Sequence, residues 1–145
     1  MMPAGKYFVG DLCYVFSDTE WDEVCGIIIQ GNNVIDGEFN LSDGRRFAMH
    51  STAYGDGVYG DETGHNCYPV DSGSIGCILV DSIKNQNDVY KKELGAVIDF
   101  PNPFETGGEN KTGIIFFGST RIMTGEEEED GDEDYYPIYG EDEDE

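Results

Sequence analysis

This sequence predicts a mainly β fold, a β-dominated α+β domain. The expected form is one antiparallel sheet, a rolled barrel or a sandwich, with one short helix near residues 18–25. Three observations predict it. Twenty glycines punctuate the chain every few residues, which suits short elements joined by tight turns rather than long helices. The apolar runs between these corners are short and rich in Ile, Val, Phe and Tyr, as strands are. With 145 residues, 38% of them hydrophobic, the chain can bury one proper core.

The elements follow in order. Lys6–Val9 and Leu12–Phe16 read as β runs broken by Gly10-Asp11. Ser17-Asp18-Thr19-Glu20 has the capping-box pattern, in which the serine and glutamate side chains satisfy each other's backbone N–H groups. A helix over Asp18–Cys25 follows, with Trp21 as a core anchor and Gly26 as its stop. Ile27-Ile28-Ile29 reads as a buried strand, and Val34-Ile35 with Glu38–Leu41 as a strand pair around Asp36-Gly37. Ser42-Asp43-Gly44 is a hairpin signal, because Asp-Gly accepts the positive φ of a tight turn. Arg45–Thr52 is its return strand.

Tyr54–Cys67, with four glycines, three acids and two tyrosines, leaves little room for regular structure. Tyr68–Asp71 is a short strand. Ile75–Ile83 is the best strand in the chain, and its apolar run, with Ile78, Leu79 and Val80 adjacent, predicts a strand covered on both faces. Lys84–Lys92 reads as a loop or one helical turn, and Leu94–Phe100 as a strand. A long loop runs from Pro101 to Gly108, and Thr112–Phe117 and Ser119–Met123 form strands around Gly118. The expected core is Phe8, Tyr14, Trp21, Ile28, Phe47, Met49, Ile78, Val80, Val97, Ile115 and Phe117.

Charge divides the chain at about residue 124. Gly125–Glu145 holds 13 acidic residues and no Lys or Arg, within a formal net charge of −23. Residues 1–124 therefore read as the compact domain and 125–145 as a disordered acidic tail. Both parts repel phosphate, so direct nucleic-acid binding is not expected. A cationic protein partner is. Within the tail, Tyr136 and Ile138 stand out as apolar anchors for it. The N-terminus shows no signal-peptide pattern and no apolar run nears the ~20 residues of a membrane helix. The expectation is a cytoplasmic protein with reduced thiols and no membrane contact.

Four stretches carry a family resemblance. Gly10-Asp11-Leu12-Cys13-Tyr14-Val15, Trp21-Asp22, Tyr54-Gly55-Asp56-Gly57-Val58-Tyr59 and Val70-Asp71-Ser72-Gly73-Ser74-Ile75-Gly76 resemble a small family of proteins from bacteria, phages and large DNA viruses. The resemblance covers about residues 5–83. It implies a recurring turn architecture and a microbial or viral origin. The family has no assigned activity, so it lends no functional residues.

Chemical constellations are sparse. Cys13, Cys25, Cys67 and Cys77 are too widely spaced for the usual paired zinc ligands. His65-Asn66-Cys67 is the one close pair, and Cys67 the least implausible nucleophile. Carboxylates Asp56, Asp61 and Asp71, with His50 and His65, gather around the glycine-rich segment. Such a set suits cation binding or acid–base work, but Asp-Gly and Asp-Ser pairs are also what turns are made of. No catalytic residue, metal set or cofactor is assigned. The reading is a non-enzymatic interaction domain whose acidic tail contacts a basic protein. The alternative is a small hydrolase or a ligand- or metal-binding enzyme with a site on residues 54–71.

Overall fold

The computed structural model describes residues 1–109 and 112–125. The fold is β-dominated, with one α-helix and antiparallel sheets that do not close into a barrel. The first sheet has the order β4-β5-β8-β1-β9, formed by β1 (Gly5–Gly10), β4 (Gly37–Asn40), β5 (Arg46–Ser51), β8 (Ser74–Leu79) and β9 (Gly95–Phe100). The second has the order β10-β11-β12-β6-β7, formed by β6 (Gly57–Asp61), β7 (Cys67–Val70), β10 (Thr106–Gly108), β11 (Ile114–Phe117) and β12 (Thr120–Met123). A separate two-stranded ribbon joins β2 (Ile29–Gln30) to β3 (Asn33–Val34).

Side-chain alternation stacks these elements in three layers. In the first sheet Tyr7, Val9, Ala48, Ile75 and Cys77 face one way and pack on Tyr59, Tyr68, Ile115, Phe117 and Ile122 of the second sheet. Phe8, Phe47, Met49 and Ile78 face the other way. They pack under α1 (Asp18–Ile28) and the 3-10 turn Leu12–Tyr14 through Val24, Ile28, Leu12 and Phe16. The first sheet is thus buried on both faces, as the unbroken apolar run of β8 requires. Sandwich, rather than rolled sheet, is the form this sequence adopts.

Local chemistry explains the elements that match expectation. Ser17 caps α1, its hydroxyl accepting from the Glu20 N–H while Glu20 Oε1 accepts from the Ser17 N–H at 2.8 Å. Arg45 then ties the helix start to the β4–β5 turn. Its Nη2 is 2.7 Å from Glu20 Oε2, an ion pair without a well-directed hydrogen bond to that oxygen, and its Nε is 2.9 Å from Asp43 Oδ2. Gly44 takes φ 95° in that turn.

Several expectations are corrected. Leu12–Tyr14 is a 3-10 turn, not strand, because Asp11 caps it by accepting from the Cys13 N–H. Gly26 does not stop α1, which runs one turn further. Burial of Ile28 offsets the roughly 1 kcal/mol that an internal glycine costs. Ile27 and Ile28 are therefore helical, and Ile29 begins an exposed ribbon instead of a buried strand. Val34 pairs back with Ile29, while Glu38–Asn40 pairs with β5; the two do not pair with each other. The glycine-rich segment contains strand β6, held between β12 and β7, and β10 interrupts the loop after Pro101. Of the expected core, Tyr14, Trp21 and Val97 are only half-buried, while Tyr7, Leu12, Tyr68, Ile75 and Ile122 are fully buried and were not anticipated.

One polar group joins the layers. Asp11, wholly buried at the end of β1, accepts from the Asp71 and Ser72 N–H groups at 2.7 Å each and from Ser72 Oγ at 2.8 Å. Asp71-Ser72-Gly73 is the crossover from β7 in the second sheet to β8 in the first. Gly73 takes φ 82° there, which a residue with a Cβ resists. Asp11→Ala leaves four donors, the Cys13, Asp71 and Ser72 N–H groups and the Ser72 hydroxyl, without their acceptor. We expect a loss of roughly 3–5 kcal/mol in urea unfolding, with Asp11→Asn intermediate. A loss below about 1 kcal/mol would show that water replaces the carboxylate.

Candidate functional site

The residues singled out from sequence do not converge. His50 lies between the sheets, 5% exposed, with Nε2 2.9 Å from Thr106 Oγ1 and its ring against Phe117. Burial pushes its imidazole below the ordinary value, although Asp36 and Glu38 pull the other way. His65 sits exposed in the β6–β7 turn, its N–H donating to Asp61 Oδ1. Asp61 organises that turn. Burial works to raise its pKa, but hydrogen bonds from Thr63, Asn66 and Tyr68 outweigh it and hold the carboxyl low. Asp56 is exposed, and Asp71 accepts from the Tyr14 hydroxyl at 2.9 Å. His50, Asp56, His65 and Asp71 line none of the four principal clefts. Tyr136 and Ile138 lie outside the described residues.

The thiols are equally dispersed. Cys77 is buried in β8, and desolvation pushes its pKa well up. Cys13 is raised too, by burial first and then by Asp11, Asp71 and Asp56 nearby. Its place is a 3-10 turn, not the strand expected. Cys67 is the exposed thiol. Among the described residues, no group of three or more His, Cys, Asp or Glu is placed to hold a metal ion. Nor is any helix long and apolar enough to cross a membrane.

A different arrangement emerges where the described chain ends. Thr124 is fully buried: its hydroxyl donates to the Gly113 carbonyl and accepts from the Ala53 N–H at 3.1 Å. Gly125, next to Thr112 and Gly113, immediately precedes the acidic segment in sequence. Beside it lies a cleft of about 230 Å³ lined by Asp36, Thr52, Ala53, Glu109, Gly113 and Ile115, among others. Two carboxylates line it and, among the described residues, no Lys or Arg does. Asp36 is held by the Ser51 N–H and hydroxyl at 3.1 and 2.8 Å, and Glu109 accepts from the Thr112 hydroxyl at 2.8 Å. This negative concavity was not legible in sequence, because Asp36 and Glu109 are 73 positions apart and meet only through the packing of β5 near β10.

Comparison with protein-family models, with curated proteins and with solved structures finds no match for this chain.

Two outcomes check this description. Native-state alkylation at pH 8 should modify Cys67 first and Cys77 last; early loss of Cys77 would contradict its burial. For His50, the folded pKa lies below the unfolded ~6.5. Its contribution to stability is therefore complete above pH 6.5 and lost as pH falls from there through the folded value. The wild-type should lose stability between pH 7.5 and 5.5 relative to His50→Gln, by at most about 1.4 kcal/mol per pH unit. Parallel melting curves for the two proteins would contradict it.

Proposed function

We propose that this chain is a non-enzymatic interaction domain that engages a basic protein partner through its acidic C-terminal segment and the surface around Gly125. The single observation that carries the reading is the continuity of negative charge. The segment's 13 acids follow directly on Gly125, beside a cleft whose described charged lining is Asp36 and Glu109. A long-range field of one sign steers an oppositely charged partner and raises the association rate. It equally disfavours nucleic acid and anionic surfaces.

Sequence adds the anchors. Tyr136 and Ile138 interrupt the acids with apolar surface, and contact area of that kind, unlike exposed charge, is not screened by salt. The roles are then divided: carboxylates bring a cationic partner close, while Tyr136 and Ile138 slow its departure.

The test is pull-down and titration with the full chain, a chain ending at Gly125, and a full-length Tyr136→Ala/Ile138→Ser variant. The partner captured by the full chain should be lost with the truncation. The double variant should keep the association rate and raise the dissociation rate about tenfold or more. Equal capture by the truncated chain would overturn the proposal.

A further inference from the structure

We propose that the β2–β3 ribbon, Ile29–Ile35, is the apolar docking surface for that same cationic partner. The inference rests on the basic-partner reading and adds the place where the partner sits on the folded domain. Seven large apolar side chains are markedly exposed in the described chain, and three of them are here: Ile29 at 47%, Val34 at 52% and Ile35 at 36%. Ile29 and Val34 are direct cross-strand partners, so their side chains share one face of the ribbon. Scattered apolar residues on a surface are ordinary, but a contiguous group marks a contact.

The group carries no charge. Gly26–Ile35 is ten residues without a single charge, in a chain of which 27% is charged. The ribbon pairs with neither large sheet, and strands this short are not stable alone. It is fixed instead by the end of α1, where the Ile35 N–H donates to the Ile28 carbonyl at 2.7 Å and Ile28 itself is seated in the core. The result is a supported apolar platform with a face left open among the described residues.

Its surroundings select the occupant. Ile35 runs directly into Asp36, whose carboxylate is pinned by Ser51 and lines the acidic cleft beside Gly125. Exposed Asp22 lies on α1, one turn and more before the ribbon. An apolar centre beside acidic groups matches the anatomy of a protein–protein interface whose partner carries cations at the rim. A second copy of this chain would bring −23 against −23, and an anionic lipid surface is repelled by the same field. The occupant is therefore a basic protein with apolar side chains among its cations.

The probes are two synthetic peptides of equal length and charge, one alternating Lys with Leu and one alternating Lys with Ser, each titrated into the full chain. The Lys–Leu peptide should bind about tenfold tighter. Ile29→Ser/Val34→Ser should remove that advantage and leave Lys–Ser affinity unchanged within about twofold, while the conservative Ile29→Val/Val34→Ile should keep it. These side chains are exposed, so folding is not at stake, and an unchanged melting temperature confirms it. Equal affinity for both peptides in the wild-type, or a preference that survives in the serine variant, overturns the ribbon's role and leaves the basic-partner reading standing. Absence of binding by either peptide overturns both.

Discussion

The architecture depends on one buried carboxylate. Asp11 ends β1 in the central sheet and holds the backbone of Asp71 and Ser72, where the chain passes from the outer sheet to the central one. A buried charge is costly unless every lone pair is used, and four hydrogen bonds, including the one from the Cys13 N–H, use them. The same contact fixes the 3-10 turn that leads to α1, so it sets the helix layer as well as the crossover. Tyr14, from that turn, adds a second link to Asp71. Three turn-rich stretches of the sequence thereby gain a physical reading. Two of them, around Asp11 and around Asp71, are the two halves of this junction. The third supplies β6, with Tyr59 in the core and its hydroxyl donating to the Gly55 carbonyl.

Where sequence reasoning succeeded, the governing forces were local. The capping box at Ser17, the Asp43-Gly44 hairpin and the apolar stretch of β8 up to Leu79 are each decided within a few residues, although Val80–Ser82 is a 3-10 turn rather than the strand expected to reach Ile83. It failed where a distant partner decides. Leu12–Phe16 has strand-like composition, yet Asp11 turns it into 3-10 structure. Gly26 resembles a helix stop, yet the core contact of Ile28 carries the helix past it. The segment around Gly57–Asp61 resembles loop because its stabilising neighbours, β7 and β12, include one some 60 positions away. The clustering of His50, Asp56, His65 and Asp71 in sequence likewise does not survive folding. Alternation sends His50 inward between the sheets, Asp71 is taken up by the junction with Asp11 and Tyr14, and Asp56 stays exposed.

The uncharged ribbon runs directly into Asp36, which lines the cleft it shares with Glu109. The sequence displays the ribbon's missing charge plainly. The meeting of Asp36 with Glu109 is a property of the sandwich, set where β5 packs near β10.

The Asp11 junction is a closed part of the core, and amide hydrogen exchange resolved by residue puts this to the test. The Asp71 and Ser72 N–H groups, although in a turn, should exchange as slowly as the amides of β8. Exchange as fast as that of the exposed Gly31-Asn32 turn would mean that the carboxylate does not hold the crossover, and the account of the fold would fail.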